Sequence, residues 1–245
     1  MENLARLDAV LEESARRSVD LLVTPEMVVP GYQLDADAAN RLADPPDGAI
    51  AEQVRSMARR HRIGVLYGCA ERGRDELVYN AIRLVNRAGT AVTTHHKTHL
   101  FGDLDRAMVA PGGTMPPVVD LGGWRLGLLT CYEVEFPELV RSLAVRGADV
   151  VCVPTANMIE YDAVQDVLVR ARALENQVFV AYANYCDREG DLVYGGRSEI
   201  VAPTGEVLAA ADRAPEIVVA DLDHSILVES RGRYPYLADR RPDLY

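Results

Sequence analysis

Apolar positions along this chain recur with two periods. Leu4, Leu7, Val10 and Leu11, with charged residues between them, fall at helical spacing, and Ala51, Val54, Met57, Ala58 and His61 repeat that spacing further on. Each stripe leads into an apolar run, Leu21 to Thr24 after the first and Ile63 to Cys69 after the second. Strands are next expected at Asn80 to Val85 and Ala91 to His96, around a turn at Asn86-Arg87-Ala88-Gly89. Further strands are expected at Leu126 to Thr130, Asp149 to Val153 and Val178 to Asn184, with helices from Pro137 to Arg146 and from about Asp162 to Asn176. Ser198 to Ala202, Val207 to Ala210 and Glu216 to Asp221 read as final strands before a short helix near His224 to Ser230. Helices and strands alternating in this way, broken by two hairpins, predict a mixed α/β layered architecture.

The chain has 245 residues, enough for one sizeable core, and no shift in composition or repeat divides it, so a single domain over 1-245 is expected. A net charge of -11 argues against nucleic acid, which selects a basic face. Cys69, Cys131, Cys152 and Cys186 lie in separate apolar segments without paired ligand spacing, which favours reduced thiols over a disulfide frame or a zinc site. No apolar stretch approaches the roughly 20 residues that span a bilayer, and no signal-peptide core opens the chain; a cytoplasmic protein with no membrane partner is expected.

Three strand ends carry the candidate chemistry. Cys131 sits where the run from Trp124 to Thr130 stops and an acidic turn, Tyr132-Glu133-Val134-Glu135-Phe136-Pro137-Glu138, begins. A side chain there is held rigidly, and the N–H groups of the following turn can face an oxyanion. Glu26 ends the run Leu21-Leu22-Val23-Thr24-Pro25, and Lys97 closes the alternating strand that starts near Ala91. Taken singly, each has a bland reading: a packed thiol, a solvated acid, a solvated lysine.

Together the three segments resemble the nitrilase, or carbon-nitrogen hydrolase, superfamily. Pro25-Glu26 matches its Glu motif, His96-Lys97-Thr98-His99-Leu100 its Lys motif, and Cys131 to Glu138 its Cys motif. Pro154-Thr155-Ala156-Asn157-Met158, Arg170 to Gln177 and the hairpin Ser198 to Gly205 resemble the amidase branch. The wording from Lys97 to Arg106 is most similar to 5-aminopentanamidase and related aliphatic amidases. The resemblance implies a four-layer α-β-β-α sandwich, a cofactor-independent amidase and a homodimer, or a larger homo-oligomer, joined by helices near the Cys loop and by an extended C-terminal arm, 231-245. One departure is that relatives open with a β-strand, whereas Met1-Glu2-Asn3-Leu4 already enters the first helix. The sandwich is therefore expected to lack its usual first strand.

Within that resemblance Cys131 is the expected nucleophile, Glu26 the general base, and Lys97 the cation that stabilises the oxyanion with the backbone N–H of Tyr132 or its neighbour. Relatives often carry a second acid after the Lys; Asp103 and Asp105 are the candidates here. Tyr32, Tyr132 and Asn157 follow the strand ends closely enough to line a substrate pocket, and equally to be wall residues. Arg172 and Glu175, three apart on a helix, read as an ion pair. His95, His96 and His99 alternate across a strand and lack a completing acid or thiol pattern, so no metal is expected. The expected reaction converts a small linear aliphatic amide, such as 5-aminopentanamide, to a carboxylate and ammonia through a Cys thioester. A nitrilase, an N-carbamoyl hydrolase or a non-catalytic scaffold are the alternatives. A Cys protease is disfavoured, since no Cys-His-Asn signature accompanies Cys131.

Overall fold

A computed structural model describes residues 2–244. The first helical stripe forms α1 (Glu2–Arg16), which leads into β1 (Leu21–Val23). Two helices follow, α2 (Ala36–Leu42) and α3 (Ala49–His61), and then the hairpin strands β2 (Gly64–Arg72), β3 (Val78–Val85) and β4 (Ala91–His96). These strands make a four-stranded sheet in the order β1-β2-β3-β4, with β1 parallel to β2 and the rest antiparallel. Because two antiparallel steps restore direction, β4 runs the same way as β1, and their carboxyl ends share one end of the sheet.

After α4 (Gly102–Met108) come β5 (Val118–Leu121), β6 (Trp124–Leu128), α5 (Pro137–Val145) and β7 (Val150–Thr155). The chain continues through α6 (Arg170–Asn176), β8 (Phe179–Asn184), the short pair β9 (Arg188–Glu189) and β10 (Leu192–Val193), then β11 (Glu199–Val201), β12 (Val207–Ala210) and α7 (His224–Arg233). The second sheet has six strands in the order β12-β11-β8-β7-β6-β5, parallel across β6, β7 and β8.

Alternation along each strand builds the layers. Leu66, Ile82 and Leu84 of the first sheet meet Leu126, Leu128, Val150, Cys152 and Phe179 of the second in one apolar cluster. The opposite faces bury against helices: Val65, Tyr67 and Cys69 against Leu4, Leu7, Leu11, Val54 and Ala58, and Val151, Val153 and Val180 against Val140, Leu143 and Ala173. The result is the expected α-β-β-α sandwich. Strands β2 and β7 are buried on both faces, which is why they read as continuous apolar runs rather than as alternation.

Several expectations need correction. The helix expected from about Asp162 is in fact a 3-10 turn at Ile159–Tyr161 and a widened π-helical stretch at Val164–Val169 before α6 begins. Asn157, just ahead of the 3-10 turn, donates to Gln165 in the π-helical stretch. The strand expected at Glu216 to Asp221 forms no ladder, and no strand precedes α1 among the described residues. Helices α2 and α4 and strand β5 were not anticipated; α2 is set by Asp35, whose carboxylate caps the N–H of Ala38. Among the described residues no helix is long and apolar enough to cross a membrane.

Candidate active site

Glu26 follows β1, Lys97 follows β4 and Cys131 follows β6, so the first two hang from one sheet and the thiol from the other. The N–H of Glu26 donates to Thr155 O at the end of β7, a bond that joins the two sheets at this point (3.2 Å). Gly68 on β2 lets that corner approach closely: a Cβ there would lie 2.2 Å from Met27 N and 2.7 Å from the Glu26 carbonyl carbon. Met27 and Cys131 both adopt left-handed φ, 50° and 48°, turning the chain sharply at the two strand ends. For non-glycine residues such geometry costs on the order of 1 kcal/mol or more and persists where surrounding contacts over-determine it.

Lys97 is the centre of the polar cluster. Its Nζ donates to Glu26 Oε1 and to Asp105 Oδ2, both at 2.7 Å, and all three side chains are fully buried. Asn80 Nδ2 donates to the same Glu26 oxygen at 2.6 Å, and the Lys97 N–H donates to Asn80 O at 2.9 Å. Glu26 Oε2 is buried and has no hydrogen-bond partner, so it is the oxygen left to receive a proton. Burial would lower the Lys97 pKa, but the charges of Glu26, Cys131 and Asp105 outweigh it and hold the ammonium protonated. Burial pushes the Glu26 carboxyl up, against the pull of Lys97. The half-buried Cys131 is pushed well above an ordinary thiol by burial and then by the Glu26 charge, with Lys97 and the Ala156 N–H opposing. Both influences hold the thiol toward its protonated form, and the Glu26 carboxyl offers one oxygen without a hydrogen-bond partner.

The structure separates the two candidate second acids. Asp103 is solvent-exposed, while Asp105 is buried, with Oδ2 taking Lys97 and the Phe101 N–H (2.9 Å) and Oδ1 taking the Tyr32 hydroxyl (2.9 Å). Tyr32 is thus brought into the cluster through Asp105. Tyr132 is half-buried and packs edge-on against Phe101 and Phe136. Asn157 is committed elsewhere: its Nδ2 donates to Tyr161 O and Gln165 Oε1, and its backbone is held by Asn184.

Two residues that sequence reasoning passed over tie the motifs together. Glu133, fully buried, accepts from Thr98 N and Oγ1 (2.7 and 2.6 Å) and from Thr130 N (2.7 Å), and bonds His95 at 2.9 Å. It clamps the residue after Lys97 to the residue before Cys131. His95 and Thr98 draw its carboxyl down despite burial, which keeps it an acceptor. Asn80 is the second; a polar residue at the head of an expected strand that is apolar but for Arg83 was the available signal. Arg172 forms the expected pair with Glu175 (2.9 Å) and also donates to Val134 O and Glu135 O, holding the Cys131 turn from beneath. The three histidines do not converge: His95 bonds Glu133, His96 bonds Glu71 on the other side of the strand, and His99 bonds Thr98.

An acceptor carboxylate, a fixed ammonium and a thiol at a sheet seam can together deprotonate a sulfur, stabilise an oxyanion and protonate a leaving nitrogen. The family model described as carbon-nitrogen hydrolase matches residues 1–231. A hydrolase in the pqqF 5′ region of Pseudomonas protegens is 46% identical over 99% of this chain and 85% of that protein. An (R)-stereoselective amidase from Pseudomonas sp. is 38% identical over 91% of the chain and 80% of its own length. An amidase from Nesterenkonia sp. AN1, 33% identical, superimposes with a TM-score of 0.86 over 99% of the chain and 89% of its own. That structure shows the acetamide moiety of fluoroacetamide added covalently at its active site cysteine, and another structure of the same amidase holds butyramide.

The chain therefore belongs to the carbon-nitrogen hydrolase family. Within it the protein falls in the amidase branch of the nitrilase superfamily, and it is an enzyme, a hydrolase of carbon-nitrogen bonds other than peptide bonds.

Proposed function

We propose that this amidase hydrolyses small linear aliphatic amides of the 5-aminopentanamide kind, with Glu26, Lys97 and Cys131 as its catalytic residues. The observation that carries the reading is the buried Lys97 ammonium held at 2.7 Å from Glu26, whose second oxygen has no partner. As the sulfur attacks the amide carbon, its proton passes to Glu26 Oε2. The carbonyl oxygen takes the negative charge, facing Lys97 and the N–H of Tyr132 or its neighbour. Glu26 then returns the proton to the nitrogen, the carbon-nitrogen bond breaks, and ammonia leaves a thioester on Cys131. A water that loses its proton to Glu26 attacks the thioester, and the carboxylate departs as the thiol is reformed. Each oxyanion donor in comparable sites contributes roughly 3 to 4 kcal/mol.

Asp105 serves as the second acid, fixing the Lys97 ammonium, and Tyr32 acts through Asp105. Tyr132 is the wall residue best placed against substrate, while the engaged side chain of Asn157 favours a structural part. The butyramide and acetamide groups held by the Nesterenkonia amidase support a short aliphatic acyl chain. A cytoplasmic homodimer is the expected form. Val145, Ile159, Val167 and Leu174 expose apolar surface around α5 and α6, near the Cys131 turn, and would supply a contact face, with the segment after α7 as the candidate arm.

Ammonia release from a panel of amides, nitriles and N-carbamoyl compounds tests the reading. Turnover of ω-amino or simple aliphatic amides, abolished by Cys131→Ala with the fold retained, supports it. Turnover confined to nitriles or carbamoyl compounds overturns the substrate. An intact wild type that acts on none of them and resists iodoacetamide favours a scaffold.

A further inference from the structure

The hairpin β9–β10 leaves the second sheet after β8 and comes to rest on the turn that follows β1 in the first sheet. The main contact is a single carboxylate. Glu189 Oε1 and Oε2 both accept from the Tyr32 N–H at 3.1 Å, and Oε2 also accepts from the Gln33 N–H at 3.1 Å and from the Tyr194 hydroxyl at 2.7 Å. Gly31 leaves room for it, since a Cβ there would lie 2.4 Å from Glu189 Oε1. The Asp191 N–H donates to Gln33 Oε1 at 3.1 Å and the Tyr185 hydroxyl to Met27 O at 3.2 Å. One turn of the first sheet is thus tied to the chain beyond β8 at three points.

What that turn carries is Tyr32. Its side chain is fully buried, its hydroxyl donates to Asp105 Oδ1 at 2.9 Å, and Lys97 Nζ lies 5.9 Å from its ring centroid. Burial, with the charges of Glu26 and Asp105, pushes the hydroxyl well above its ordinary value, so it stays a donor. The Lys97 ammonium is shared at 2.7 Å between Glu26 Oε1 and Asp105 Oδ2. With equal distances, the balance depends on the other donors each carboxylate receives: Asn80 on Glu26, and the Phe101 N–H and the Tyr32 hydroxyl on Asp105. The Tyr32 bond takes up part of the Asp105 charge. Without it, Asp105 would draw the ammonium away from Glu26 and from the place of the oxyanion.

We propose that Glu189 is a positioning residue for amide hydrolysis: by pinning the Tyr32 backbone across the two sheets, it fixes the hydroxyl on Asp105 and thereby the Lys97 ammonium between its two carboxylates. This role rests on the reading of Glu26, Lys97 and Cys131 as the catalytic residues. Glu133 is its counterpart at the Cys131 turn, where it ties Thr98 to Thr130 across the same two sheets. A carboxylate suits the task because it only accepts, whereas an amide would turn its own N–H groups toward two backbone donors.

Steady-state kinetics of Glu189→Gln, Tyr32→Phe and the double variant test it, beside wild type and Cys131→Ala, on the amide that the wild type turns over fastest. Thermal melts give the folded fraction of each. Glu189→Gln is expected to lower kcat per folded enzyme by about 10- to 100-fold with KM little changed, because the ammonium is displaced and not lost. The double variant should be no slower than Tyr32→Phe alone, since both changes act through one hydroxyl. A merely structural tie would lower Tm, leave kcat per folded enzyme alone and add independently to Tyr32→Phe. Should Glu189→Gln fail to fold, Tyr194→Phe keeps the buried ring and removes only the hydroxyl on Glu189; a smaller fall in kcat supports the role and an unchanged kcat overturns it. With Cys131→Ala inactive, a folded Glu189→Gln of wild-type kcat, a change confined to KM, or losses that multiply in the double variant overturn this role alone. Turnover that survives in Cys131→Ala, or a wild type without any, overturns the catalytic reading and this role with it.

Discussion

Lys97 stands between two buried carboxylates, and its loss exposes what it compensates. Lys97→Met should abolish turnover and also destabilise the fold by about 3–5 kcal/mol, because Glu26 and Asp105 would face each other unpaired; chemical denaturation beside an ammonia assay reads both effects. Glu26→Gln separates the roles differently. Turnover should fall by about 10²–10⁴-fold with the proposed base gone, yet the Cys131 thiol should titrate lower than in the wild type, since the charge that raises it has been removed while Lys97 stays. The pH dependence of iodoacetamide alkylation measures that shift, and an unchanged or higher midpoint would contradict the arrangement. Glu199 gives a third expectation at this scale. Burial lifts its carboxyl to about 7, and one of its oxygens has no partner. Its folded value lies above its unfolded one, so the protonated form favours folding: stability declines as pH rises from about 4.5 to about 7 and is level beyond. Glu199→Gln should flatten that part of the curve and raise stability at pH 8 by on the order of 1–3 kcal/mol.

At the scale of elements, the parts legible in the sequence are those whose signal is local. β1 and β6 were readable as apolar runs and β4 as an alternating strand, and each candidate catalytic residue closes one of them. The hairpin turn at Asn86 was readable because Asn86 accepts from Ala88 and Thr90 within the turn itself. What stayed hidden depends on partners far along the chain. Glu133 looked like one more acid in a turn; only folding brings Thr98 and His95 to it. Glu133→Gln keeps the shape but replaces one acceptor oxygen with a donor facing N–H groups. It should lower kcat by about 10- to 100-fold with little change in KM, because loosening Thr98 from Thr130 misplaces Lys97 against Cys131. Gly68 was equally silent, because its reason is the Glu26–Met27 backbone lying against it. Gly68→Ala should destabilise the protein by about 1–3 kcal/mol through overpacking and depress turnover further than stability alone explains; a thermal melt beside the amide assay would show a loss in one without the other if this reading is wrong. The strand expected at 216–221 failed for a related reason: β-branched composition proposes a strand, but a ladder needs a neighbour.

For the whole molecule, charge belongs to association rather than to fold. With a net charge of -11, the protein's field attracts cations over distances that salt screens beyond roughly 10 Å. The kcat/KM for an ω-amino amide should therefore fall as ionic strength rises, while that for a neutral amide such as butyramide stays level; parallel salt series on the two substrates would reveal it. The sandwich has a mechanical side as well. Glu26 and Lys97 hang from one sheet and Cys131 from the other, so the gap between the proposed base and the sulfur is set by how Leu66, Ile82, Leu128 and Phe179 interdigitate between the sheets. Adaptation to cold or heat could thus retune the rate by exchanging a methyl group in that deep layer, leaving every reacting group untouched.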